Sequence, residues 1–221
     1  MPGSGIFWSS LGRDEQQALR EAGRLRTFEP GEMILREGDA SGNVAIIMFG
    51  TVRVVAGNRQ IGRDTVIAVR GSGDILGELA AIDRGTHSAT AQAVTRVGAL
   101  LLTTNRLDAL STQYRTLEIA LLRVVSDRLR EADRRRTEFP AGIATRLARL
   151  LVEYAEQQCP AGAGRAVVDV VSQTDLAGLI GTSRESLARA LRDLREQRLV
   201  STSRGRVIIH DLDQLRAVSH T

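Results

Sequence analysis

The stretch Gly181-Thr182-Ser183-Arg184-Glu185-Ser186-Leu187-Ala188-Arg189-Ala190-Leu191 decides the reading of this chain. It comes after a short apolar helical pattern, Leu176, Leu179 and Ile180, across a glycine-centred turn. Helix, tight turn, helix is the geometry with which small domains enter a major groove. Arg184, Glu185 and Arg189 fall on the outer face of the second helix, and side chains of these types can bond base edges. Ser172-Gln173-Thr174-Asp175 opens the first helix as a capping box, in which Ser172 bonds the backbone N–H three residues on and Asp175 bonds back. Thr182-Ser183-Arg184-Glu185 has the same form, so capping and base reading compete for Glu185. Ser183 can cap without help, which favours base reading by Glu185.

The flanking segments extend the pattern. On the C-terminal side, Leu199 to Thr202, a turn at Ser203-Arg204-Gly205-Arg206, and Val207 to His210 read as a β-hairpin wing, with Arg204 and Arg206 at its tip placed for phosphate. On the N-terminal side, Ala166 to Val171 is β-rich, Pro160 to Gly164 is a loop, and Ile143 to Gln157 is an amphipathic helix with Leu147, Leu150, Leu151 and Tyr154 on one side. Pro140 and Gly142 break the chain before that helix and serve as a hinge.

From about Leu107 to Phe139 the period is helical. Leu117, Leu121, Val125, Leu129 and Ala132 form one stripe, widened by Leu122 and Val124. A helix of roughly 25–30 residues, about 40 Å long, is too long for one small domain to cover. Either it packs on its own domain or, the favoured reading, it pairs with a second copy of itself. The run Asp127-Arg128 to Asp133-Arg134-Arg135-Arg136 reads as a solvated face.

The segment from Phe28 to Thr103 has another rhythm. Short apolar runs (Met33–Leu35, Val44–Phe49, Val52–Val55, Val66–Val69, Val97–Leu102) alternate with turn signals such as Pro30-Gly31, Ser41-Gly42-Asn43 and Gly71-Ser72-Gly73-Asp74. Regular short strands predict an antiparallel sandwich or barrel, such as a jelly roll. A short helix over Asp14 to Ala22 precedes it, with Leu19 and Ala22 inward.

Composition bounds the rest. The 221 residues suffice for one large domain or two modest ones, and all thirty basic residues are arginine. The formal charge of +4 suits an anionic partner. One cysteine, Cys159, excludes an intrachain disulfide framework and a Cys-ligated zinc or iron–sulfur site. Its sequence neighbours offer no cation to lower its pKa, so a redox role is not expected. No apolar run of about 18 residues marks a membrane span. Met1 to Gly5 does not open a signal peptide, and a cytoplasmic location is expected. No nucleophile–base motif, metal cluster or phosphate-transfer loop points to an enzyme.

In this order these features resemble the cyclic-AMP receptor protein/FNR family of bacterial transcription regulators over nearly the whole chain. The residues that carry the likeness are Pro30-Gly31-Glu32, Glu37-Gly38-Asp39 and Ile47 to Val54, then Gly73 to Leu79, His87-Ser88-Ala89-Thr90, and Gly181 to Leu191. The resemblance implies an α+β homodimer. Residues 1–106 would form a cyclic-nucleotide-binding-like jelly-roll β-barrel, 107–139 a dimerisation helix, and 140–221 a winged helix-turn-helix.

It also implies a phosphate-binding cassette around Gly77, Glu78 and Leu79. Backbone N–H groups after Gly77 would face an anion, and Glu78 would accept from a ribose hydroxyl. The family's arginine–serine clamp is His87-Ser88 here. Losing a charge-assisted bidentate contact costs about 2 kcal/mol, roughly thirtyfold in affinity. Arg84, three residues earlier, is a candidate replacement. Where cyclic-AMP-responsive members place Thr-Ser against the adenine, this chain has Ala132-Asp133. The effector readings stay open between a cyclic nucleotide bound in a modified way, another effector such as a cyclic dinucleotide, and none. An effector-independent regulator or a chromosome-organising DNA binder is the alternative function. An FNR-type cluster lacks its cysteines, and of the three histidines (His87, His210, His220) only His87 lies in the sensor, which argues against haem.

On the DNA side, Arg184, Glu185 and Arg189 match the family's base readers. Arginine donates to guanine O6 and N7, and glutamate accepts from cytosine N4. The expected target is a near-palindrome of TGTGA-like half-sites one helical turn apart. Ser183 and Thr182 would contact phosphate, and Gln173 stands where the family has an arginine. RNA polymerase is a further expected partner.

Overall fold

The computed structural model describes residues 6–40, 42–58, 63–138, 142–158, 164–169, 172–203 and 205–219. Pro140, Cys159, Arg204 and His220 lie outside them. The chain divides into two compact units, Gly3–Glu131 and Ala132–Thr221.

The first unit runs α1 (Ile6–Ser9), α2 (Arg13–Ala22), β1 (Arg24–Phe28), β2 (Met33–Leu35), β3 (Asn43–Phe49), β4 (Val52–Asn58), β5 (Arg63–Arg70), β6 (Ile75–Leu76), α3 (Glu78–Asp83), β7 (Thr90–Ala93), β8 (Val97–Thr103), α4 (Thr104–Gln113) and α5 (Arg115–Glu138). Its strands form two antiparallel four-stranded sheets, ordered β1-β8-β3-β6 and β2-β7-β4-β5. The jelly roll is thus a double-sheet sandwich; the sheets do not close into the expected barrel. Strand β3 shows why they face each other. Its Ala45 and Ile47 point into a core with Phe28, Val52, Leu76, Ala91 and Val97, while Val44 and Ile46 join Phe7, Leu19, Leu102, Leu107 and Leu117 under the helices. Both faces of β3 are buried, so its sequence is a continuous apolar run rather than an alternation.

The helical region departs from the sequence reading in two ways. The single helix expected from Leu107 to Phe139 is two helices, broken at Tyr114 (φ −120°, ψ 98°). No glycine or proline marks the break. The Tyr114 N–H still bonds the Leu110 carbonyl at 2.8 Å, and the ring packs on the core under the helices. The expected single stripe is also two faces. Leu117, Ala120, Leu121 and Val124 are buried in their own unit, whereas Leu122 and Leu129 are 60% and 62% exposed.

The second unit holds α6 (Ile143–Gln158), β9 (Ala166–Asp169), α7 (Gln173–Leu179), α8 (Arg184–Glu196), β10 (Val200–Ser203), β11 (Arg206–Ile209) and α9 (Leu212–Ser219). The wing hairpin β10–β11 gains β9 as a third antiparallel strand. Helix α9, not among the elements expected above, packs on α6, and its Leu212 and Leu215 are buried. Its start was signalled by Asp211, whose Oδ1 accepts from the Gln214 N–H at 2.9 Å.

Candidate functional site

The helix-turn-helix is built by caps at both helices. The Asp175 N–H donates to Ser172 Oγ at 3.1 Å, and that hydroxyl donates to Asp175 Oδ2 at 2.8 Å. The box therefore closes through the hydroxyl, with Asp175 buried. Gly181 (φ +63°) supplies the left-handed backbone that reverses the chain after α7, and the Thr182 N–H then bonds the Ala177 carbonyl at 2.9 Å. Ser183 caps α8 by accepting from the Ser186 N–H at 3.2 Å.

Helix α8 sorts its residues by face. Leu187, Ala190, Leu191 and Leu194 are buried, and Arg184, Glu185 and Arg189 are exposed. Arg189 donates to Ser186 Oγ at 3.2 Å. Glu185 sits below the ordinary carboxylate range. Its own backbone N–H holds it there, helped by the Ser183 hydroxyl and the charges of Arg184 and Arg189. The cap of α8 is Ser183 itself, so Glu185 is the second residue of the helix, and the capping box read from Thr182 to Glu185 is not the one that forms. Gln173 is exposed at the first position of α7, and Thr182 is half-buried in the turn. Arg206 is exposed at the start of β11, paired across the wing with Ser203. Arg204 lies outside the described residues.

In the first unit, Gly77 (φ +80°) precedes α3. A Cβ there would lie 2.9 Å from Leu35 Cδ1 and 3.0 Å from His87 Cε1, so only glycine fits both the angle and the space. Leu79 is partly exposed, and Ser88 is exposed. Arg84, left-handed at the end of α3, turns its guanidinium to Asp108 of α4. His87 is buried beside a hollow of about 330 Å³ whose lining includes Leu35, Arg36, Asp39, Asn43 and His87 itself. Its backbone is paired with the 38–39 turn: N–H to the Asp39 carbonyl at 2.9 Å and C=O from the Gly38 N–H at 2.8 Å. Burial pushes its imidazole below the usual range, against the pull of Asp39, so the ring is neutral at pH 7.

The charges collect elsewhere. Glu78 is fully buried, and neither of its oxygens has a hydrogen-bond partner among the described residues. Arg128 Nη1 comes to 2.5 Å from Glu78 Oε1, off the N–H direction, while Nη2 donates to the Ile75 carbonyl. Three residues on, Glu131 accepts from Arg70 at 2.7 Å. Asp74 completes the cluster and accepts from the Gly71 N–H at 2.8 Å. Burial raises both Glu78 and Asp74 above the ordinary carboxylate values, with Arg128 the largest cation opposing it at Glu78 and Arg70 at Asp74. Arg128 is therefore not part of a solvated face. Asp133, further along α5, belongs to the second unit.

Residues 25–114 match the cyclic nucleotide-binding domain family, and residues 145–218 match the Crp-like helix-turn-helix domain. The chain is 29% identical over 194 residues to a CRP-like cAMP-activated global transcriptional regulator of Mycobacterium tuberculosis, covering 85% of this chain and 84% of that protein. It is 28% identical over 220 residues to the cyclic AMP receptor protein of Thermus thermophilus, covering 99% and 98%. The chain belongs to the CRP/FNR family of transcription regulators. The fold agrees: the structure of the c-di-GMP-responsive global regulator CLP of Xanthomonas campestris superposes with a TM-score of 0.76, at 22% identity, covering 90% of this chain and 99% of that one. As a CRP/FNR regulator it binds DNA through its helix-turn-helix. No described helix is long and apolar enough to cross a membrane.

Proposed function

We propose that this regulator is a cytoplasmic homodimer, without catalytic activity, that reads a near-palindromic site of TGTGA-like half-sites one helical turn apart. The observation that carries the reading is the division of α8 into a buried apolar face and an exposed face bearing Arg184, Glu185 and Arg189. Arg184 and Glu185 serve neighbouring G·C pairs, and Arg189 reads a third position. Ser183, Thr182, Gln173, Arg204 and Arg206 fix the protein on phosphates, and a surface of the bound dimer meets RNA polymerase. Selection of bound sequences from a random pool tests this: two TGTGA-like half-sites in inverted repeat are expected, and a pool that stays random would overturn it. Arg184→Ala should weaken specific binding by about 1–3 kcal/mol and relax preference at one base pair, read by titrating each single-base variant of the site.

The dimer reading rests on α5. Leu122, Val125, Leu129 and Ala132 recur at alternating three- and four-residue steps, the spacing of a two-stranded seam, and two of them are more than half exposed. The same helix of a second copy offers a cover of matching shape and periodicity. Leu129→Glu places two like charges across that seam and should shift the protein to monomer in sedimentation at micromolar concentration, with the far-ultraviolet helix signal retained.

For the effector, the geometry favours DNA binding without a cyclic mononucleotide. Arg84 is committed to Asp108 and His87 is neutral, so the loop after α3 brings no cation to a cyclic phosphate. The mycobacterial relative is cAMP-activated and the Xanthomonas one c-di-GMP-responsive; titration calorimetry with cyclic AMP, cyclic GMP and cyclic di-GMP separates those behaviours from an effector-free one.

A further inference from the structure

We propose that the Arg70–Glu131 ion pair fastens helix α5 to strand β5 in the ligand-free protein and thereby sets the DNA-binding competence of the effector-free form. This deepens the regulator reading and rests on it.

Arg70 is the last residue of β5. Its Nη1 donates to the Val69 carbonyl at 3.0 Å and its Nη2 to Glu131 Oε2 at 2.7 Å. A guanidinium held at two points presents its remaining donors in one direction, so the pair fixes geometry as well as charge. The two side chains are 18% and 25% exposed, well below the range of a solvated surface pair. Glu131 continues the face of α5 that begins with Leu117, Leu121 and Val124, and it lies one turn beyond Arg128. Apolar contacts hold the first half of that face. Ion pairs hold the second.

Glu131 is also the last residue of the first unit, and α5 continues without a break to Glu138. A helix rises about 1.5 Å per residue, so where residue 131 is held fixes the line along which α5 leaves the first unit. The cluster contains two guanidiniums, Arg70 and Arg128, against three carboxylates, Asp74, Glu78 and Glu131. The chain supplies both signs of charge at this end of α5 by itself, and an entering anion meets an excess of carboxylate.

The test uses the full-length protein with Arg70→Gln, Glu131→Gln, the double variant, and Arg130→Gln as a control whose exposed side chain pairs only with Asp127 on its own helix among the contacts described. Glutamine is isosteric with glutamate and, in place of arginine, keeps the Cβ–Cγ–Cδ stem with a neutral hydrogen-bonding end, so folding is retained. Hydrogen exchange of the free protein is read over residues 117–131, and DNA affinity is titrated without effector and again with cyclic AMP. Each single variant should exchange between about threefold and a hundredfold faster there, and the double variant no faster than the singles, the signature of one shared interaction. DNA affinity should fall in parallel and cyclic AMP should not restore it, while Arg130→Gln matches the parent in both readouts. Unchanged exchange, additive effects, unchanged DNA affinity despite faster exchange, or rescue by cyclic AMP would each overturn the proposal. Failure of the parent protein to select any DNA sequence would instead overturn the regulator reading, because the exchange measurement needs no DNA.

Discussion

Arg128→Leu is expected to destabilise the N-terminal unit by about 3–5 kcal/mol at pH 7, because it leaves a buried carboxylate without its cation. Glu78 is 0% exposed, and Arg128 is the largest influence opposing the effect of burial on its charge. The loss should depend on pH, with a definite sign. Burial raises folded Glu78 above its ordinary 4.5, so the folded state holds more protons than the unfolded one over that interval. Stability then falls as pH rises from 4.5 through the folded value, and is greatest below 4.5. Removing Arg128 raises the folded value further and widens the window upward. Asp74, also raised by burial and also relieved by Arg128, adds to the effect in the same direction. The gap between parent and variant should therefore be smaller at about pH 5 than at about pH 8. Trp8, the only tryptophan, packs on the core of this unit and reports its unfolding by fluorescence. In Glu78→Gln/Arg128→Leu the carboxylate is gone as well, so most of the stability should return, and only the Asp74 part of the pH dependence should remain. A single variant as stable as the parent at about pH 8 would show that the pair contributes nothing.

How much of this was legible in the sequence depended on whether a residue's period or its partner decided its role. Strands β2, β3, β4, β5 and β8 of the jelly roll can be read from short apolar runs between turn residues, and the two helices around Gly181 from their caps; β1, β6 and β7, polar or only two residues long, give no such run. These are local signals. Strand β9 was legible as a β-rich run, but its pairing with β11 was not, because register across Ala166–Ile209 is a long-range fact. Helix α5 shows the harder limit. A helix with two adjacent apolar stripes gives one broad period, and sequence alone does not say that Leu121 faces its own unit while Leu122 faces out. Arg128 and Glu131 were hidden in the same way, inside a run of charges that looks like a solvated face. Their partners, Glu78 and Arg70, lie about fifty to sixty positions away. At Glu185 the sequence offers both capping and base reading, and the cap falls one residue later than the Thr182 box requires, on Ser183 with the Ser186 N–H.

Leu187→Ala should cost the C-terminal unit about 2–5 kcal/mol, the range for truncating a fully buried leucine. Leu187 is 0% exposed and stands one turn from Arg184, on the opposite side of α8 from Glu185 and Arg189. It continues as Ala190, Leu191 and Leu194, and α8 packs against α6 and α7, whose Leu147, Leu151 and Leu176 are fully buried. Alanine at 187 leaves a cavity at the end of α8 that carries the base-reading residues, next to a turn held by only a few hydrogen bonds. The substitution removes no polar group and no charge. Any loss of DNA affinity must therefore come from the placement of α8, not from a lost contact. The expected result is earlier thermal unfolding of this unit, with DNA affinity lowered across all sequences rather than at one base pair. That pattern separates it from Arg184→Ala, which should leave stability nearly unchanged and alter preference at a single position. Leu187→Met, close in volume, should cost less than about 1.5 kcal/mol and restore binding. If Leu187→Ala instead changed base preference while leaving stability intact, the assignment of this face to the core and of the opposite face to DNA would be wrong.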